Sequence, residues 1–157
     1  MTQSRFDKLN ASLRTSGMDS VILNPGPTLT YLTGLHFHLM ERPVVLLFAK
    51  DQTPAIVLPE LELQKVASLP YELQVFPYTE NPAEWGNVFR KATQALGLDG
   101  KRIGVDPRQR RLLEFRYVRD GAPEADYPDA SDVLSSLRLR KDQAARSSRA
   151  GRPGSGW

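Results

Sequence analysis

The chain has no cysteine and only two histidines, His36 and His38, in 157 residues. The first absence excludes a disulfide framework and thiolate-based zinc or redox chemistry. The second leaves little material for a histidine-rich metal centre. Long apolar runs are also missing. The longest, Pro43 to Ala49, falls far short of the roughly 20 residues that a membrane-spanning helix needs. The first ten residues, MTQSRFDKLN, contain no apolar stretch of signal-peptide length. These features predict a cytoplasmic protein with no membrane partner. GxGxxG, a phosphate-binding P-loop and HExxH are absent as well, and Gly97, Gly100 and Gly104 are too scattered to cradle a phosphate. The serines, Ser135 and Ser136 among them, have no basic partner at a spacing that suggests nucleophilic catalysis.

What is present describes one folded domain. Forty per cent of the residues are apolar and 25% are charged, an ordinary balance for a globular chain. The isoelectric point of 9.3 suggests nucleic acid at first sight. The distribution of charge argues otherwise. Of 21 basic and 18 acidic residues, six basic and one acidic lie from Arg138 onward, leaving 15 basic and 17 acidic in residues 1–137. A nucleic-acid-binding domain carries its positive charge on the folded surface, so no nucleic-acid partner is expected.

Apolar periodicity and turn residues outline the elements. Phe6, Leu9 and Leu13 form one stripe of a helix over 4–16, with Ser4 as cap and Gly17 just past its end. Ser20 to Leu23 reads as a short strand, broken by Asn24-Pro25-Gly26-Pro27. A short helix through Leu29, Tyr31 and Leu32 stops at Gly34, and a polar loop spans Leu35 to Arg42. Pro43–Lys50 and Pro54–Leu58 form a hairpin about Asp51-Gln52-Thr53. The near-continuous apolar run of the first of these suits a strand covered on both faces. A helix at Glu60–Ala67, a strand at Leu73–Tyr78 and a strongly periodic helix at Pro82–Leu96 follow. Next come a strand at Arg102–Asp106, a helix at Arg110–Arg119, an edge strand near Ala125–Tyr127 and a helix at Ser131–Leu137. Helices interleaved with strands, one pair of them a hairpin, predict an α/β domain with a mixed sheet. After Asp142 the chain is rich in Arg, Ser and Gly, with no aliphatic residue larger than Ala. Such a segment buries too little apolar surface to offset its ordering entropy. Residues 1–142 are therefore expected to be the domain and 143–157 a disordered basic tail, out of frame or artificial in origin.

Three segments carry a resemblance. Asn24-Pro25 followed by Thr30-Tyr31-Leu32-Thr33-Gly34, then Ile103-Gly104-Val105-Asp106, then Leu137-Arg138 with Lys141-Asp142, occur in the order and approximate spacing of amino-terminal domains in the creatinase/prolidase/aminopeptidase P family. The chain resembles that family over residues 4–142. The resemblance implies a three-layer α/β/α domain with a mixed sheet, of the ribonuclease-H-like kind. It also implies a separate catalytic half holding two divalent metal ions (Mn, Co or Zn) through two Asp, one His and two Glu, and the 15 residues after Asp142 contain no Asp, Glu or His. This implies a non-catalytic domain, or truncated form, of an Xaa-Pro peptidase-like metallohydrolase. Its implied role is in oligomerisation and substrate access, with further copies of itself or the missing catalytic domain as partners. The alternative is a stand-alone interaction module without a hydrolase partner.

No catalytic residue is assigned. By the resemblance, His36, Phe37, His38, Glu41 and Arg42, in the loop after the Tyr-Leu-Thr-Gly segment, are expected near substrate. In an extended segment His36 and His38 share a face, a spacing open to two metal ligands with Glu41 as a third. No further carboxylate–histidine cluster supports that use, and no metal site is expected. Tyr31 and Gly34 read as structural, and Asp106 as the cap of the following helix. Removal of residues 143–157 is expected to abolish any binding to DNA in a low-salt mobility-shift assay; binding by the shortened chain would overturn the charge argument.

Overall fold

The computed structural model describes residues 2–37, 42–108 and 111–138. The expectations for His38, Glu41, Lys141-Asp142 and residues 143–157 lie outside those ranges. Helix α1 covers Thr2–Ser16, strand β1 Ser20–Leu23, and helix α2 Pro27–Thr33. Strands β2 (Val45–Ala49) and β3 (Ala55–Pro59) follow, then a 3-10 turn at Glu60–Glu62 that leads into the single-turn α3, Leu63–Val66. Strand β4 is Gln74–Tyr78, and helix α4, Trp85–Ala95, is preceded by a 3-10 turn at Pro82–Glu84. Strand β5 is Ile103–Gly104 and helix α5 Leu112–Gly121. A last helix, α6, covers 131–138.

The five strands form one mixed sheet in the order β4-β3-β2-β1-β5. β1 is antiparallel to β2 and parallel to β5, β2 is antiparallel to β3, and β3 is parallel to β4. Four strands thus share one direction and only β2 opposes them. Side chains alternate across the sheet. Val21, Leu23, Leu46, Phe48, Ile56 and Leu58 pack with Leu9 and Leu13 of α1, Leu29 and Leu32 of α2, and Leu134 and Leu137 of α6. Ile22, Val45, Leu47, Val57 and Ile103 pack on the other face with Phe89 and Ala92 of α4 and Val118 of α5. The result is three layers, with every residue of β1, β2 and β3 buried.

Several boundaries differ from the sequence reading. α1 starts at Thr2, so Ser4 lies within its first turn. The strand expected over 102–106 contracts to Ile103–Gly104, and the edge strand near 125–127 is replaced by two isolated parallel bridges, Arg102 to Asp126 and Val105 to Asp129. Pro128, which lacks an N–H, sits between the two bridges and cannot donate to a ladder. Gly34 ends α2 as expected. Its φ of 76° is left-handed, and its N–H donates to the Thr30 carbonyl at 2.8 Å.

Leu134 and Leu137 lie in the last helix, where an apolar face would be left uncovered if the domain ended on an unpacked element. They are core residues instead, 0% and 1% exposed, because α6 lies against the sheet beside α1 and α2. Leu134→Ala is expected to lower unfolding stability by about 3 kcal/mol through loss of buried apolar contact and the cavity left behind, measured by chemical denaturation.

Candidate functional site: the carboxyl edge of the sheet

Because β1, β3, β4 and β5 run together, the turns that leave them gather at one edge, where β2 begins. In open α/β sheets this is the edge at which ligands bind. It brings together Asn24 after β1, Arg42 and Pro43 before β2, Glu80 after β4, Asp106 after β5, and the start of α5.

Glu114 is the most unusual group here. It lies in the first turn of α5 yet is only 1% exposed. Its Oε2 accepts from the Asn24 side-chain amide at 2.8 Å and faces the Arg111 guanidinium at 3.3 Å. Among the described residues nothing donates to its buried Oε1. Burial raises the carboxyl pKa above its ordinary value, against the opposing pull of Arg111 and of the Asn24 hydrogen bond. Tyr78 shares this environment. Its hydroxyl donates to the Pro43 carbonyl, and its pKa is raised first by burial. Arg42 opposes that shift, while Glu114, Glu80 and Tyr117 add to it. The Tyr78 ring rests 5.0 Å from that of Trp85.

Asp106 is 5% exposed and does not cap α5, which begins six residues later. Its Oδ1 instead accepts from the Arg108 backbone N–H at 3.1 Å and faces the Arg108 side chain at 3.6 Å, closing the turn at the end of β5.

The described members of the predicted substrate-proximal loop are held by separate elements. His36 is exposed, and its carbonyl accepts from Lys65 Nζ of α3 at 2.9 Å. Phe37 is half-buried, with that same ammonium 4.8 Å from its ring centre. Arg42 pairs with Glu80 after β4. Tyr31, read as structural, is 7% exposed and lies under the Arg5 guanidinium, 4.4 Å from its ring centre. Among the described residues no group of three or more His, Asp or Glu side chains is placed to hold a metal ion. The two-metal site implied by the resemblance therefore has no fit to these residues. Among the described residues no helix is long and apolar enough to cross a membrane.

The sequence reading missed Glu114. It places a helix at Arg110–Arg119 with Leu112, Leu113 and Phe115 to Val118 as the apolar positions, whereas Leu112 is 62% exposed and the inward positions are Glu114 and Val118, four residues apart. That spacing, a carboxylate on the apolar stripe of a short helix, was the available signal.

The layered architecture and this edge define a creatinase/prolidase-type α/β/α domain. Residues 5–140 match the family model of the creatinase/prolidase N-terminal domain, and the chain belongs to that family. It is 27% identical over 140 residues to an Xaa-Pro dipeptidase of Lactobacillus helveticus, a match that covers 87% of this chain and 37% of the relative. An Xaa-Pro dipeptidase of Lactobacillus delbrueckii is 24% identical over 140 residues, with 38% of its length covered. The chain thus spans little more than a third of these relatives. Among solved structures, a dipeptidase from Mycobacterium ulcerans superposes with a TM-score of 0.74 at 23% identity, covering 88% of this chain and 36% of that one. The creatinase/prolidase N-terminal domain of an X-Pro dipeptidase from Streptococcus pyogenes gives 0.72 at 19% identity, covering 85% of this chain and 98% of that one. At these identities the superpositions show the fold.

A raised native pKa means that the folded state binds the proton more tightly than the unfolded one. The stability that Glu114 contributes is present below its ordinary value of 4.5 and is lost as pH rises through the native pKa. Glu114→Gln, neutral throughout, is expected to gain stability relative to the parent as pH rises from about 4 to 7. Glu114→Leu strands the Asn24 amide and is expected to cost about 1–3 kcal/mol at neutral pH. Denaturation midpoints across that range test both.

Proposed function

We propose that this chain is the non-catalytic amino-terminal domain of an Xaa-Pro peptidase-type metallohydrolase, with roles in oligomerisation and in shaping substrate access. The observation that carries this reading is the match to the N-terminal domain family over residues 5–140, combined with coverage of only 37% of an Xaa-Pro dipeptidase. In this reading residues 1–142 are the domain and residues 143–157 contribute nothing to it. The two divalent metal ions and the residues that hold them belong to sequence outside these 157 residues.

Substrate access would be shaped at the carboxyl edge. His36 presents an imidazole to solvent, Phe37 offers a partly exposed ring, and Arg42 stands beside Glu80 with its guanidinium partly exposed. A cation and an aromatic ring at a rim suit recognition of a short peptide, which carries a carboxylate at one end and an apolar ring when it contains proline.

The purified chain, incubated with Xaa-Pro dipeptides and Mn²⁺ or Co²⁺, is expected to show no turnover above a control without protein. Metal-dependent turnover would overturn the non-catalytic assignment. Light scattering coupled to size exclusion is expected to show self-association that grows with concentration, and a monomer at every concentration would remove oligomerisation from the role.

A further inference from the structure

The segment that follows α2 is fixed in two stages. Up to Leu35 its polar groups are satisfied by the threonines of α2. Thr33 Oγ1 accepts from the Leu35 N–H at 3.1 Å, and Thr30 Oγ1 donates to the Leu35 carbonyl at 3.0 Å. Tyr71 adds a hydrogen bond to the Thr33 carbonyl. At His36 the support changes source, because its carbonyl is held by Lys65, 29 residues further along the chain.

Lys65 makes three contacts at once. Its Nζ donates to the His36 carbonyl at 2.9 Å, lies 4.8 Å from the Phe37 ring centre, and stands 3.0 Å from Glu62 Oε2. An ammonium has three N–H donors and no acceptor, so a carbonyl, a carboxylate and a ring face together account for its bonding directions. Glu62, one turn earlier, steadies the ammonium. α3 itself is a single turn and contributes no fully buried side chain. Leu63 and Val66 turn its apolar side to the core, while two of the three contacts of Lys65 reach the segment opposite.

We propose that Lys65 is a positioning residue that sets where His36 and Phe37 stand at the rim. This rests on the reading above, in which those two residues shape substrate access. The Arg42–Glu80 pair holds the far end of the same connection independently, from the turn after β4. An ion pair at one end and Lys65 at the other thus hold the described parts of the rim, and Lys65 carries both the backbone and the ring of the segment it holds.

The test uses the full chain. Chymotrypsin cleavage after Phe37 is followed by mass in the parent, Lys65→Met and Lys65→Arg, alongside hydrogen exchange at residues 35–37 and the thermal unfolding midpoint. Loss of one charged hydrogen bond and one cation–π contact at an exposed site is expected to raise cleavage of Lys65→Met about fivefold, through local opening rather than global unfolding. Lys65→Arg retains charge, donors and ring contact and is expected to stay within about twofold of the parent. The midpoints should remain close to one another. Cleavage of Lys65→Met at the parental rate would overturn the proposal. So would Lys65→Arg cleaved as fast as Lys65→Met, or acceleration explained by a lowered midpoint. None of these readouts depends on hydrolysis or self-association, so failure here leaves the access role standing, and metal-dependent turnover by the chain alone leaves the cleavage result standing.

Discussion

Strand β1 is the constraint on which the rest of the domain depends. Its four residues are buried and all pair with β2 in antiparallel register, while Ser20 and Val21 also pair with β5 on the other edge. A buried strand must satisfy every backbone N–H and carbonyl within the protein, so it dictates the register of its two neighbours. It also divides the core. Val21 and Leu23 face the α1, α2 and α6 layer, and Ile22 faces α4 and α5. Gly104, opposite Val21 in β5, has no room for a side chain. A Cβ there would stand 2.6 Å from Met18 Sδ and 2.8 Å from Ala130 Cβ. The missing Cβ lets Met18 and Ala130, the residue just before α6, sit against β5.

The same strand creates the polar edge. Asn24 is the first residue beyond β1, and its amide reaches across to Glu114. A carboxylate buried at a strand terminus costs solvation that one amide and one guanidinium offset only in part. The pair therefore links the sheet to the start of α5 at some expense in stability. Nothing in the core requires a charge at that position, since Val118 and Ala122 on the same helix are ordinary apolar residues. The residues that face outward from this edge, Arg42 and the His36–Phe37 segment, are each held by one exposed charged side chain, Glu80 and Lys65 respectively, on separate elements. The edge thus has a rigid buried floor and a lightly held rim.

Family membership rests on 136 matched residues, from 5 to 140. The motifs that carried the resemblance have physical roles in the fold. The Tyr-Leu-Thr-Gly segment closes α2, with Leu32 fully buried and Gly34 left-handed. Ile-Gly-Val-Asp is β5 and the turn after it. Leu137 anchors α6 in the core. These are packing and backbone requirements, which explains why such motifs mark the domain without naming a substrate.

The sequence by itself determined the hairpin, the mixed α/β class and the order of the elements apart from the edge strand near 125–127, which does not form. Continuous apolar runs such as Pro43–Lys50 and the 3.6-residue stripe of Trp85, Phe89 and Ala92 reflect local geometry that each element carries within it. It also marked Gly17 and Gly34 as helix ends, because a left-handed residue is a local demand. Only the tertiary structure decided which charges are buried and which apolar residues are exposed. Leu112 and Glu114 exchange the environments their chemistry suggests because α5 is oriented by its packing on α4 and by the Asn24–Glu114 hydrogen bond, not by its own pattern. Strand direction is likewise non-local. That β1, β3, β4 and β5 run together, and so collect Asn24, Arg42, Glu80, Asp106 and Glu114 at one edge, follows from pairing between residues up to about 80 positions apart. No window of sequence contains that information, because the hydrogen bonds that encode it form only when the sheet does.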